Sequence, residues 1–182
     1  MLELKCGRPE DFEQRLDVER TVYELLDSLD IEYYRLDHEP AFTMEICQQI
    51  DKSLGALICK NLFLTNRQKT DYYLLMMPAT KVFKTKELSK VLGVSRLSFG
   101  DAETMVSLLG TSPGSASVMG LINDMDRKVR LVIDEDVLKE EYFGCHPCIN
   151  TSSLRIKTKD LTEKILPGLN ITYKVVTLFG EE

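Results

Sequence analysis

LGTSPGSASVMGLIND, residues 109–124, is the stretch whose reading decides how the rest of the chain is organised. Gly110, Gly114, Gly120 and Pro113 punctuate a run of small residues, Ser112, Ser115, Ala116 and Ser117, so the backbone can turn sharply and lie against another molecule. Such a loop binds ligands through main-chain N–H groups, and the same composition also serves a plain tight connector. Beyond it, the segments 118–122 and 128–133 flank a turn-rich insert, 123–127, which predicts a β-hairpin directly after the loop.

Upstream of the loop, 101–109 reads as a helix capped by Asp101 and ended by Gly110, 96–99 as a short strand, and 85–92 as a helix ended by Gly93. Residues 56–65 and 71–77 form a predicted hairpin across the polar turn 66–70. HEPAFT, 38–43, turns the chain from a strand at 31–36 into a helix capped by Thr43. Val18, Val22, Leu25, Leu26 and Leu29 recur at helical spacing, giving a helix over 17–30 with Asp17 as its cap. Residues 1–16 show no period and read as a leader. Downstream, a helix at 135–142, a loop at 144–150, a strand at 152–157, a helix at 159–166 stopped by Pro167 and Gly168, and a strand at 171–178 follow. The predicted fold class is mixed α/β, with one domain over 17–182.

The chain has 182 residues, 20.8 kDa and 43% hydrophobic residues, enough for one well-buried core. Its start lacks a signal-peptide pattern, and its longest apolar or aromatic run, 72–78, is far short of the roughly 20 residues of a membrane span. A cytoplasmic protein with no membrane partner is expected. Five cysteines, an odd number, point to reduced thiols. A net charge of −6 argues against a broad nucleic-acid surface, so any such contact must be local. The one basic patch is Lys81, Lys84, Lys86, Lys90 and Arg96, interrupted only by Glu87; a solvated helix face is its alternative reading.

Lys60 lies mid-strand among apolar neighbours, where it must snorkel, pair with an acid or face a functional cavity. Alternation puts Lys60 on one face with Ile58 and Leu62, and Asn61 on the other with Phe63. His146, one of two histidines, stands in a loop four residues before Asn150, and the same loop spells the Cys145–Cys148 CxxC. A redox CxxC normally opens a helix after a strand, whereas this one follows a helix, and zinc would need ligands from scattered cysteines. No metal and no cofactor are expected. GxSxG, HExxH, P-loop and dinucleotide motifs are absent. What remains is one lysine, one histidine, an asparagine and exposed backbone N–H groups, suited to polarising a carbonyl and placing a water.

In this order, HEPAFTMEI, CKNLFL, RLSF, LLGTSPGSASVMGLIND and CHPCINTSS resemble the YbaK/prolyl-tRNA synthetase-associated domain family, over about 18–178. The resemblance is greatest to its free-standing ProXp-ala (PrdX-type) members, which deacylate alanine mischarged onto tRNA(Pro). It implies a YbaK-like mixed sheet, partly closed into a barrel and surrounded by helices. It implies catalytic roles for Lys60, Asn61, Gly120 and His146, and a substrate site built from Thr43, Met44, Gly114, Ser115, Ala116, Ser117, Val118, Met119, Asn150 and Thr151. It also implies that Lys81, Lys84, Lys86 and Arg96 meet the tRNA. The partners would be the tRNA(Pro) acceptor end carrying alanine and prolyl-tRNA synthetase. Val118 stands where many members carry proline, and Met119 where phenylalanine is usual, so cysteine or serine is an alternative substrate. A non-catalytic module that binds tRNA or a synthetase is the rival from another class.

Overall fold

The computed structural model describes residues 2–180. Two sheets organise it. One is antiparallel throughout, in the order β1 (Leu4–Cys6), β2 (Tyr33–Asp37), β8 (Ser152–Lys157), β7 (Tyr142–Cys145). The other runs β5 (Ser98–Phe99), β3 (Lys60–Thr65), β4 (Tyr72–Met77), β6 (Val129–Asp134), β9 (Tyr173–Val176). In it β3 pairs antiparallel with β4 and β5, while β6 pairs parallel with β4 and β9.

Strand β4, YYLLMM, is buried along both of its faces because the second sheet is covered on both sides. Leu74 and Met76 enter the principal core between the sheets, where Tyr23 and Leu26 of helix α1 (Asp17–Ser28) and Leu154 and Ile156 of β8 meet them. Tyr73, Leu75 and Met77 face a second core closed by Leu88 of α3 (Thr85–Leu92). Helix α2 (Met44–Leu54) lays Ile50 and Leu54 on Leu36 of β2. The caps follow the local chemistry: Thr43 accepts from Ile46 N at 3.3 Å, and Asp101 accepts from Thr104 N at 2.7 Å at the start of α4 (Ala102–Leu109). Leu16, not Asp17, is the cap residue of α1; Asp17 lies inside the first turn, where its charge suits the helix dipole.

Several expectations are corrected. Residues Val118–Asn123 form a 3-10 helix rather than a hairpin strand, and the strand after them, β6, pairs parallel to β4. An apolar run of five residues fits either period, and here both faces of VMGLI are enclosed. Gly120 permits the close packing, since a Cβ there would lie 2.9 Å from the Leu109 carbonyl oxygen. The helix expected over 135–142 stops at Lys139 (α5, Glu135–Lys139), and Tyr142–Cys145 instead supplies β7. Pro167 does not stop the last helical run; it lies within Leu166–Gly168, after a π-helical turn, Leu161–Ile165. The stretch read as a leader contributes β1, paired to β2, and Phe12, buried beneath the ring of Tyr23. Among the described residues the sheets do not close into a barrel. They meet at a single bridge, Ile58 to Gly144, sealed by Gly144 N–Leu57 O and Cys59 N–Gly144 O hydrogen bonds of 2.9 Å each.

Candidate functional site

The glycine-rich loop leaves α4 through Gly110, whose φ of 66° is the left-handed conformation that ends a helix. Ser115 pins the turn: its hydroxyl and the Ser112 backbone exchange hydrogen bonds of 3.0 and 3.2 Å. Ser117 then caps the 3-10 helix by accepting from Met119 N at 3.1 Å. The N–H groups of Ala116, Ser117 and Val118 find no acceptor among the described residues, although Ser117 and Val118 are buried. Consecutive backbone donors held by a rigid turn can receive an anionic or carbonyl oxygen, and here their residues lie next to the cleft lining rather than in it.

A cleft of about 680 Å³ opens beside this turn. Gly110, Thr111, Ser112 and Ser115 form one wall, Cys148–Thr151 the second, and Asp11–Glu19 the third. Of the expected site residues, Ser115, Asn150 and Thr151 line this cleft, whereas Gly114, Ala116, Ser117, Val118, Met119 and His146 lie outside its lining; the third wall joins the stretch before α1 to Val18 and Glu19 in the first turn of that helix. Arg15 holds that third wall by ion pairs to Asp11 (2.9 Å), Glu19 (3.1 Å) and Asp37 (2.9 Å). Thr111 Oγ1 is buried there without a partner among the described residues.

His146 is half-buried and lies outside the cleft lining. Its Nδ1 is 2.8 Å from the Ser152 carbonyl, which can only accept, so Nδ1 carries the proton and Nε2 the lone pair. Ser153 Oγ sits 3.5 Å from His146 Nδ1 and 2.8 Å from His38 Nε2, linking the two rings at a centroid separation of 6.2 Å. His38, whose Nδ1 donates to Glu39 O at 2.8 Å, was legible only as part of the HEPAFT turn. Burial, with His38 nearby, holds the His146 imidazole below its usual pKa, although the Ser152 carbonyl works the other way. An imidazole that is neutral in the folded state binds fewer protons than in the unfolded chain. Stability is therefore complete above the unfolded value of about 6.5 and declines as pH falls towards the lower folded value. Urea midpoints measured at pH 7.5 and pH 5.5 should fall less for His146→Asn, which retains a donor to the Ser152 carbonyl, than for the wild type. Equal falls would show that His146 does not carry this dependence.

The lysine and asparagine of the KN pair separate, because successive residues of a strand face opposite sides. Asn61 faces the principal core: its Nδ2 donates to Cys59 O at 3.1 Å, and its Oδ1 is buried without a partner among the described residues. Lys60 faces the other side, where its ammonium donates to Lys81 O at 2.8 Å in a groove of about 810 Å³. Lys84 and Lys86 line the same groove. Lys81 does not offer a free cation to a phosphate: its ammonium is held by Asp134 (2.8 Å), Asp136 (2.7 Å) and the Leu178 carbonyl (2.6 Å). Arg96 is exposed but lies outside the groove lining, as do Thr43 and Met44, which are exposed at the start of α2. A further cavity of about 750 Å³ shares the 79–81 wall and holds, of the expected site residues, only Lys81.

The CxxC thiols are buried and free, Cys148 on a left-handed backbone with φ 64°. Burial pushes the Cys148 and Cys59 thiols up to about 12 and raises Cys145 as well, with the Ser117 hydroxyl opposing the Cys145 shift. Thiols so far from ionisation are not redox nucleophiles. No cluster of three His, Cys, Asp or Glu side chains capable of holding a metal occurs among the described residues, and no helix among them is long and apolar enough to cross a membrane.

Comparison with known proteins adds the family. The model of the aminoacyl-tRNA editing domain matches residues 38–164. The prolyl-tRNA editing protein ProX of Acetoanaerobium sticklandii is 29% identical over 163 residues, covering 90% of this chain and 99% of that protein. The prolyl-tRNA synthetase associated domain-containing protein 1 of Danio rerio is 26% identical over 148 residues, covering 80% of each. A solved structure assigned provisionally to trans-editing for prolyl tRNA synthetase shares the fold, with a TM-score of 0.66 at 16% identity over 90% of this chain and 98% of that one. The chain belongs to the aminoacyl-tRNA editing domain family, the YbaK-like deacylases, and is an aminoacyl-tRNA hydrolase.

Proposed function

We propose that this hydrolase edits in trans, removing alanine mischarged onto tRNA(Pro). The observation that carries the reading is the trio of unpartnered N–H groups at Ala116, Ser117 and Val118, fixed by the Ser115 and Ser117 hydroxyls. Ester hydrolysis places negative charge on the carbonyl oxygen as water adds, and preorganised donors at that oxygen lower the barrier without a protein nucleophile. The ribose oxygen then leaves, so an activated water is the remaining requirement. His146 Nε2 bears a lone pair but serves here to orient the 146–153 segment with Asn150 and Thr151, and Gly120 keeps the turn against Leu109. Lys60 anchors the tRNA end from its side of β3.

A synthetase pocket that fits proline excludes alanine poorly, since a missing methylene is worth only about 1–3 kcal/mol, and a second, smaller site corrects this by size. The names of the ProX and prolyl-tRNA synthetase associated relatives agree with a proline-tRNA substrate. Val118 and Met119 are buried outside the cleft lining, and because they stand where the resemblance expects proline and phenylalanine, serine or cysteine is the second reading.

The test is hydrolysis of Ala-, Ser-, Cys- and Pro-tRNA(Pro) by the wild type, Lys60→Ala and Lys60→Arg. We expect cleavage of the alanyl ester and sparing of the prolyl ester. A charge-assisted contact worth about 1.5–3 kcal/mol puts the Lys60→Ala loss at about ten- to a hundredfold, with partial return in Lys60→Arg. Faster cleavage of seryl or cysteinyl ester would move the substrate to the second reading; cleavage of none would end the editing proposal.

A further inference from the structure

The groove around Lys60 carries an aromatic feature that ester chemistry does not use. Phe99 on the edge strand β5 is 61% exposed and meets the Phe83 ring edge-on at 5.9 Å. Its place is enforced: β5 pairs Phe99 with Leu64, Leu97 is buried beside it, and Gly100 passes over the Phe63 ring with no room for a Cβ. Phe99, paired with Leu64, and Lys60 thus stand on the same face of the sheet, and Leu62 and Lys86 line the groove with them.

The electrostatics of this groove differ from those of the chain as a whole, whose net charge is −6. Glu87, the one acid in the basic stretch, is turned away and accepts from Phe179 N at 2.7 Å and Gly180 N at 3.4 Å. Lys86 makes no ion pair among the described residues, and Lys60 spends one of its three protons on Lys81 O. Cations beside a solvent-facing aromatic ring form the combination that holds single-stranded nucleic acid: charges for the phosphates, a flat apolar face for a base.

We propose that this groove seats the unpaired 3′ strand of the tRNA substrate, one base stacked on Phe99 and the adjoining phosphates met by Lys60 and Lys86. The assignment rests on the editing function above for its choice of nucleic acid, and the groove lies on the face of the sheet opposite Asn61. Lys60 is the first residue of β3, so a strand leaving the groove past it reaches the end of the sheet, where the two faces meet.

The experiment needs no catalysis. Binding of a fluorescent unpaired oligonucleotide ending in CCA, and of a blunt duplex of equal length, is measured across a salt series for the wild type, Phe99→Ala, Phe99→Trp, Lys86→Ala and the remote charge control Lys159→Ala. Base stacking worth about 1–3 kcal/mol predicts a five- to hundredfold loss in Phe99→Ala and retention in Phe99→Trp. Lys86→Ala should make the slope of log K against log salt shallower by about 0.7, and Lys159→Ala should match the wild type. Preference for the duplex, or wild-type binding by Phe99→Ala, overturns the proposal whatever the deacylation assays show. Conversely, binding as described without cleavage of any aminoacyl-tRNA leaves the groove assignment standing while the editing reading fails.

Discussion

Lys81→Met is expected to lower the unfolding free energy by about 3–5 kcal/mol, because it strands a carboxylate that the fold has already taken out of water. Asp134 is 0% exposed in its side chain, and its Oδ2 lies 2.8 Å from the Lys81 ammonium. Asp134 Oδ1 is committed to the Asp136 N–H at 3.0 Å, the cap of α5, so it cannot turn towards a substitute. Burial works against the charged lysine, yet hydrogen bonds to Asp134 and Asp136 outweigh it and hold the ammonium above its usual pKa. The lysine also ties the end of β6 to the carboxy-terminal segment through Leu178 O, and its own carbonyl receives Lys60. Urea unfolding of Lys81→Met and of Lys81→Met/Asp134→Asn would check this. The asparagine keeps the cap but removes the charge, so the double variant should regain at least half of the loss. A single-variant loss below about 1 kcal/mol would show that the pair contributes as little as an exposed one.

This lysine illustrates where sequence reading stops. Its position in a basic stretch made it a candidate for phosphate, and nothing nearby in the sequence names Asp134 or Asp136 as its partners, since they lie 53 and 55 residues away. Features decided within a few residues were legible: the Thr43 and Asp101 caps, the left-handed glycines at Gly93 and Gly110, and the alternation that sets Lys60 and Asn61 on opposite faces. Features decided by enclosure were not. VMGLI reads as a strand until the core surrounds it on all sides, and the three-residue β1 exposes too little apolar surface to announce itself. The same limit governs the site. The loop, Asn150 and Thr151 were each visible as motifs, and the structure brings Ser115, Asn150 and Thr151 into one cleft. The His38–Ser153–His146 link joins residues up to 115 apart, and the wall between Asp11 and Glu19 joins a stretch without periodicity to the first turn of α1.

Gly144→Val should produce the second large effect, a loss of about 3 kcal/mol, at the upper end of what overpacking costs. The reason is the single seam between the sheets. A Cβ at Gly144 would lie 3.0 Å from Ile58 Cα, 3.0 Å from Leu57 O and 3.0 Å from Leu54 Cδ2, and two of these are backbone atoms that cannot rotate away. Relief requires β7 and the start of β3 to part, which lengthens the two 2.9 Å hydrogen bonds that join them. Both neighbours of this seam lead into the site: Cys145 precedes His146 on one side, and Cys59 precedes Lys60 and Asn61 on the other. Parting the sheets therefore displaces the histidine from the lysine and asparagine, and deacylation should fall further than the unfolded fraction alone explains. Gly144→Ala, with one carbon instead of three, should show the same direction at about 1–2 kcal/mol. Chemical denaturation of both variants, with deacylation rates corrected for the folded fraction, decides the matter. Unchanged midpoints would mean that the sheets are held together elsewhere, and a rate loss accounted for by unfolding alone would separate the seam from the chemistry.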